Sequence, residues 1–188
     1  MKATIVRRIN NLFIIQARLT STRFPGKVLE KVDGKSMIAR VCEAARGVPR
    51  KYGKVVVAWA HHFPHLDEND VLGRFREICL KHWPAKKIVR LTSDCPLLTS
   101  RVINLAMYGA SPASSAYYCN RVYGAPDGMD VEVFEPDALF SEYWTDKEHV
   151  IKPEFKIPAN QPDMPKLSVD TPEDLALVRD YVERIKNA

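Results

Sequence analysis

Leu12-Phe13-Ile14-Ile15-Gln16-Ala17-Arg18-Leu19-Thr20-Ser21-Thr22-Arg23-Phe24-Pro25-Gly26-Lys27 is the stretch that decides the fold. Four consecutive large apolar residues suit a strand buried on both faces, as in the middle of a parallel sheet. The loop that follows carries three cations (Arg18, Arg23, Lys27) and three hydroxyls (Thr20, Ser21, Thr22). Ligands of open α/β sheets bind at the carboxyl ends of strands. A loop of this content at that place suits a triphosphate: guanidinium forks pair with phosphate oxygens, a lysine adds a mobile charge, and hydroxyls and loop N–H groups donate. It is not a Walker A loop, because Ser21 stands where the first glycine belongs and Val28 follows the lysine, and it is not G-x-G-x-x-G. On composition alone, a solvated basic loop remains the alternative.

Working outward, short apolar runs alternate with amphipathic stretches. Strands are predicted at 11–17, 54–60, 87–91, 116–120, 130–134 and 166–169, and helices at 36–46, 69–83, 102–108 and 137–144. The last helix has the clearest start: Thr171 caps it, Pro172 opens it and Asp174 reaches back, with Leu175, Val178, Val182 and Ile185 as the buried stripe. Strand–helix alternation predicts one three-layer α/β/α domain over residues 1–188, with a mostly parallel sheet.

The 188 residues suffice for a core without disulfides or structural metal. Cys42, Cys79, Cys95 and Cys119 are scattered and are read as reduced thiols. No apolar run is long enough to span a membrane, and the first residues lack the order of a secretory signal, so the expectation is a cytoplasmic protein without membrane contact. The net charge of +5 is spread rather than striped, which speaks for a small anionic substrate and against nucleic acid. His61-His62-Phe63-Pro64-His65 fits no zinc spacing and reads as a surface loop.

Residues 15–29, from Ile15 to Leu29, resemble the signature of the cytidylyltransferases that make CMP-activated sugars. The likeness is to the spore-coat polysaccharide branch, with the acylneuraminate and CMP-Kdo synthetases as more distant relatives. The resemblance implies a nucleotide-diphospho-sugar transferase (Rossmann-like) fold, CTP as donor, Mg²⁺ as cofactor and a sugar, sugar-acid or sugar-phosphate acceptor. It implies that Gln16, Ala17, Arg18, Ser21, Arg23 and Lys27 bind the nucleotide, with Arg18 and Lys27 catalytic. Arg74, in the family-like segment Asp70-Val71-Leu72-Gly73-Arg74, joins them, with a surface helix arginine as the alternative. Gln16 replaces the proline usual in sugar-acid synthetases, so the motif does not fix the acceptor.

Asp94 in Leu91-Thr92-Ser93-Asp94-Cys95-Pro96-Leu97 follows a strand, and Pro96 keeps it out of a helix. By spacing it is a turn or cap carboxylate, or a group that holds Mg²⁺ while phosphates supply further ligands. The similar D-x-P-L segment of the family implies the metal. Val169-Asp170-Thr171-Pro172-Glu173-Asp174-Leu175 likewise resembles V-D-T-P-E-D-L and implies Asp170 as the second metal ligand; favourable interaction with a helix N-terminus is the plainer role. Asp127-Gly128-Met129-Asp130-Val131-Glu132 is family-like and implies acceptor binding by Asp127 and Asp130. Asp130 and Glu132 would share a strand face, which would equally suit a solvated edge. Lys147-Glu148-His149-Val150 resembles E-H-V-T-P with its threonine and proline displaced, and adds His149 as an acceptor contact or a packed histidine.

The resemblance is uneven. Relatives carry a helix and a strand between the second strand and Asp70, and a longer segment between Glu148 and Lys166; the first ten residues look added. The trimmed segments serve the base pocket, the acceptor pocket and the dimer contact, which leaves a homodimer open. A catalytically silent nucleotide-binding module on the same fold is therefore the alternative function. A uridylyltransferase would show G-x-G-x-R and a glycosyltransferase D-x-D; neither occurs.

Overall fold

The computed structural model describes residues 9–49, 53–110, 117–141 and 165–188. In chain order the elements are β1 (Ile9–Ala17), the two-residue strands β2 (Lys31–Val32) and β3 (Lys35–Ser36), α1 (Met37–Gly47), β4 (Gly53–Trp59), α2 (Val71–Lys81), β5 (Ala85–Thr92), α3 (Ser100–Gly109), β6 (Tyr117–Cys119), β7 (Glu132–Phe134) and α4 (Pro172–Lys186). The main sheet has the order β4-β1-β5-β7-β6. β1 lies between parallel partners β4 and β5, while β7 pairs antiparallel with both β5 and β6.

The apolar run of β1 is explained by its central place. Phe13, Ile15 and Ala17 pack with α1 and α3 on one face of the sheet. Leu12 and Ile14 pack with Val71, Leu72, Phe75 and Ile78 of α2 on the other. Full burial of a side chain such as Phe13 contributes roughly 1.5–3 kcal/mol. Side-chain caps start the four α-helices among the described residues: Ser36, Asp70, Thr99 and Thr171 each accept a backbone N–H of the first turn. The four cysteines are buried free thiols.

Four sequence expectations are corrected. Residues 166–169 form no strand. Leu167 N donates to Asp127 O at 2.8 Å and Val169 N to Asp94 O at 2.9 Å, so the segment ties two loops together instead of adding to a ladder. Its alternating burial, with Leu167 and Val169 inside, has the period of a strand without the partner. Asp130 lies before β7, not in it. Ile185 is 58% exposed, because α4 packs only through Leu175, Val178 and Val182. That helix covers Val32 of the β2–β3 hairpin, together with Met37 and Val169, rather than the main sheet. The predicted helix over 137–144 is, in its described part, a 3₁₀ turn at Pro136–Phe140. Among the described residues no helix is long and apolar enough to cross a membrane.

Candidate active site

At the carboxyl end of β1 the chain enters a loop closed by a hydrogen bond from Gly26 N to Leu19 O, 2.6 Å. Gly26 has φ +71°, a left-handed conformation that a side chain would disfavour. The turn delivers Lys27 into the molecule, where it is 8% exposed. Its ammonium donates to Asp94 Oδ2 at 3.0 Å, to Asp170 Oδ1 at 3.1 Å and to the carbonyl of Val169 at 2.7 Å. The bond from Val169 N to Asp94 O brings the two carboxylates, which are far apart in sequence, to one lysine.

Arg23 adds a second cation, its Nη2 3.1 Å from Asp170 Oδ1, and Lys166 Nζ approaches Asp170 Oδ2 at 3.2 Å and Asp174 Oδ2 at 2.8 Å. Burial works to raise the Asp170 pKa, but the hydrogen bonds from Lys27 and Lys166 outweigh it and hold the carboxylate below its usual range. The lining of the resulting cleft, about 190 Å³, includes Gln16, Ala17, Arg18, Ser21, Arg23, Lys27, Asp94 and Asp170. Thr22, one of the loop hydroxyls, completes it with Val28, Thr92 and Ser93, to which the sequence assigns no role although Thr92 and Ser93 directly precede Asp94. Ser93 N bonds Gln16 O at 3.1 Å and so joins the first loop to the β5 loop.

The remaining expected residues lie elsewhere. Arg18, which does line the cleft, donates from Nη1 to Asn69 Oδ1 at 2.7 Å. Arg74 is no surface arginine: it is 1% exposed, and its Nη1 donates to the Glu68 carbonyl at 2.7 Å. Burial lowers its pKa, and its Nε and Nη2 are without hydrogen-bond partners. Asp130 and Glu132 do not act together. Asp130 pairs with Arg121 at 3.3 Å and accepts from Gly128 N at 2.9 Å, whereas Glu132 pairs with Arg90. Asp130 lies behind the site, its Oδ2 3.8 Å from the buried Cys95 thiol, which is itself 3.8 Å from Asp94 Oδ1. Burial raises its pKa. The Asp127 carbonyl anchors Leu167. His149 is outside the described residues. His61, His62 and His65 are exposed, as read from sequence; His61 and His62 meet edge to face at 4.5 Å.

A second cavity, about 290 Å³, adjoins the first loop. Leu19 and Thr20 form one side, and Ala60, His61, Phe63, Pro64, Leu66 and Glu68 the other. Glu68 lines this cavity, and its Oε1 is buried without a hydrogen-bond partner.

Residues 12–64, which hold β1, the cationic loop, the hairpin, α1 and β4, match the cytidylyltransferase family model. That match lies within the first 64 residues of the chain. Curated relatives of this chain include the 3-deoxy-manno-octulosonate cytidylyltransferase of Marinobacter nauticus, 29% identical over 149 residues, or 67% of this chain and 53% of that protein. The enzyme of the same name from Koribacter versatilis is 36% identical over 87 residues, 46% of this chain and 27% of that protein. The matches thus span between 19% and 53% of the curated relatives' lengths. Among solved structures, a cytidylyltransferase from Leptospira borgpetersenii superposes with a TM-score of 0.74 at 22% identity, over 94% of this chain and 87% of that one. A CMP:2-keto-3-deoxy-manno-octonic acid synthetase complexed with CTP gives 0.61 at 20% identity, over 93% of this chain and 99% of that one. The α/β fold of these nucleotidyltransferases is therefore present in this shortened chain.

Proposed function

We propose that the protein transfers the cytidylyl group of CTP to a sugar or sugar-acid hydroxyl and releases pyrophosphate. The observation that carries this reading is Lys27 held between Asp94 and Asp170, in a cleft that also presents Arg18, Arg23 and Ser21. A cleft with this cation count suits a triphosphate, and the two carboxylates suit the divalent ion that accompanies one.

Both carboxylates already converge on one cation, the Lys27 ammonium. Among the described residues no group of three or more His, Cys, Asp or Glu is gathered for a metal. A pair of carboxylates fits Mg²⁺, which keeps waters and takes phosphate oxygens as its other ligands. Asp94 and Asp170 would hold it, and when bound it supplies Lewis acidity at the phosphates.

The acceptor oxygen bonds to the α-phosphorus as the bridge to the β-phosphate breaks, and the hydroxyl proton is released with pyrophosphate. Alignment and charge neutralisation dominate such reactions. Arg18 and Arg23, on the open side of the cleft, receive the β- and γ-phosphates. Lys27, released from its carboxylates, follows the charge that develops on the leaving group. The second cavity takes the base: an aminopyrimidine would lie between Leu19 and Phe63, beside Glu68. Asp127, Asp130 and His149 are kept as the acceptor side, with Asp130 acting through the loop it braces.

The test is label transfer from CTP labelled at the α-phosphate, with Mg²⁺ and a panel of sugar acids and sugar phosphates. Label in an acceptor product, dependent on Asp94, supports the reading. CTP binding without transfer to any acceptor would favour a silent nucleotide-binding module.

A further inference from the structure

Arg90 of β5 and Glu132 of β7 are paired in register across the sheet. Their side chains form an ion pair only 15% and 13% exposed. Arg90 Nη2 donates to Gln16 Oε1 at 2.8 Å. Arg90 Nε and Glu132 Oε2 are buried without hydrogen-bond partners. Burial works to lower the Arg90 pKa, and Glu132 outweighs it, so the guanidinium stays charged. As a stabilising device the pair is poor: apolar residues of similar volume commonly serve a fold as well or better than an incompletely satisfied buried ion pair.

What the pair does fix is Gln16. Arginine has donors only, so the Gln16 amide oxygen must face it and the amide nitrogen must face away. Gln16 lines the cleft, and its single side-chain hydrogen bond among the described residues is the one to Arg90. Direction matters as well. In the sheet order β4-β1-β5-β7-β6 the base cavity lies by the ends of β1 and β4. Arg90 and Glu132 draw Gln16 the other way, toward β5, whose end carries Asp94, and β7, which the Asp127–Asp130 loop precedes.

We propose that the Arg90–Glu132 pair is a positioning device that holds Gln16 Nε2 as a hydrogen-bond donor to a carboxylate or hydroxyl oxygen of the acceptor, making Gln16 a specificity-determining residue. The proposal rests on the transfer reaction above. The experiment compares the wild type with the Arg90→Met/Glu132→Leu double variant, which removes both charges together so that neither is stranded. CTP and 3-deoxy-manno-octulosonate are titrated separately against pyrophosphate release. The acceptor KM should rise about tenfold or more, the scale of one lost hydrogen bond to a charged group, while the CTP KM stays within about twofold. Arg90→Lys, which keeps a donor facing Oε1, should recover most of the acceptor KM. An unchanged acceptor KM, or an equal rise in both constants, would overturn the proposal. The side-chain amide signal of ¹⁵N-labelled Gln16 in the free protein provides an arm that needs no turnover: it should shift in the double variant, and an unchanged signal would overturn the proposal. A wild type that releases no pyrophosphate with any acceptor would contradict the transfer reading alone, and the amide signal would still decide the positioning.

Discussion

At the scale of single residues, the site depends on one lysine with two carboxylates. Removing the ammonium in Lys27→Met leaves Asp94 and Asp170 facing each other without their shared cation. The variant should unfold about 1–3 kcal/mol more easily in urea, and Mg²⁺ should recover part of that loss while changing the wild type little. Pyrophosphate release should fall about 100-fold or more. Asp170 carries a pH prediction. Its folded pKa is below the unfolded value, so the stability it contributes is present above the unfolded pKa and is lost as pH falls through the folded one. Asp170→Asn should therefore flatten the fall in Tm below about pH 4. Glu68 tests base choice: on the proposed reading its carboxylate beside the second cavity favours a base with an amino group over one with a carbonyl. Glu68→Gln should narrow the preference for CTP over UTP by about tenfold, read as a ratio of kcat/KM. At this scale the sequence was most informative where chemistry and local position coincide, as in Arg18, Ser21, Arg23, Lys27 and Asp94, all in or just after loops that end strands. Arg90 and Glu132 were not legible as a pair, because only the β5–β7 register brings them together. Arg74 was ambiguous for a related reason: a helix pattern does not reveal that its arginine turns inward beneath residues 67–70.

At the scale of elements, the segment 165–170 decides whether the site exists. It carries Asp170 and is held by two backbone hydrogen bonds, to Asp127 O and Asp94 O. Gly128 permits the approach: with φ +92°, a Cβ there would lie 2.2 Å from the Leu167 carbonyl carbon. Gly128→Ala should therefore push the segment out, lower Tm by several degrees and reduce activity together, whereas Gly26→Ala meets nothing within 4 Å and bears only the cost of its backbone conformation. Thermal unfolding of the two variants side by side separates these effects. The segment reads as a strand because burial alternates, and sequence cannot say whether a laddering partner is present. The start of α4 was legible for the opposite reason. Its capping box is local, written within Thr171 to Asp174, and the structure contains both of its hydrogen bonds.

At the scale of the whole molecule, a central strand buried on both faces places the cationic loop, and parallel neighbours on either side place the loops that meet it. The layered α/β fold was legible because hydrophobic period and caps are local signals. The antiparallel edge made by β7 and β6 was not, because strand direction depends on the path of the intervening chain. Nor was the role of α4, which packs on the hairpin and Val169 and thereby braces the site from behind. Between β4 and α2, His61, Phe63, Pro64, Leu66 and Glu68 line the second cavity beside the first loop. The central claim, that this reduced fold still activates CTP, is tested most directly by pyrophosphate release from CTP and Mg²⁺ with 3-deoxy-manno-octulosonate and related sugar acids, in the wild type and in Asp94→Ala. The account predicts metal-dependent release that is lost in the variant. Release that is independent of metal and unaffected by Asp94→Ala would contradict it.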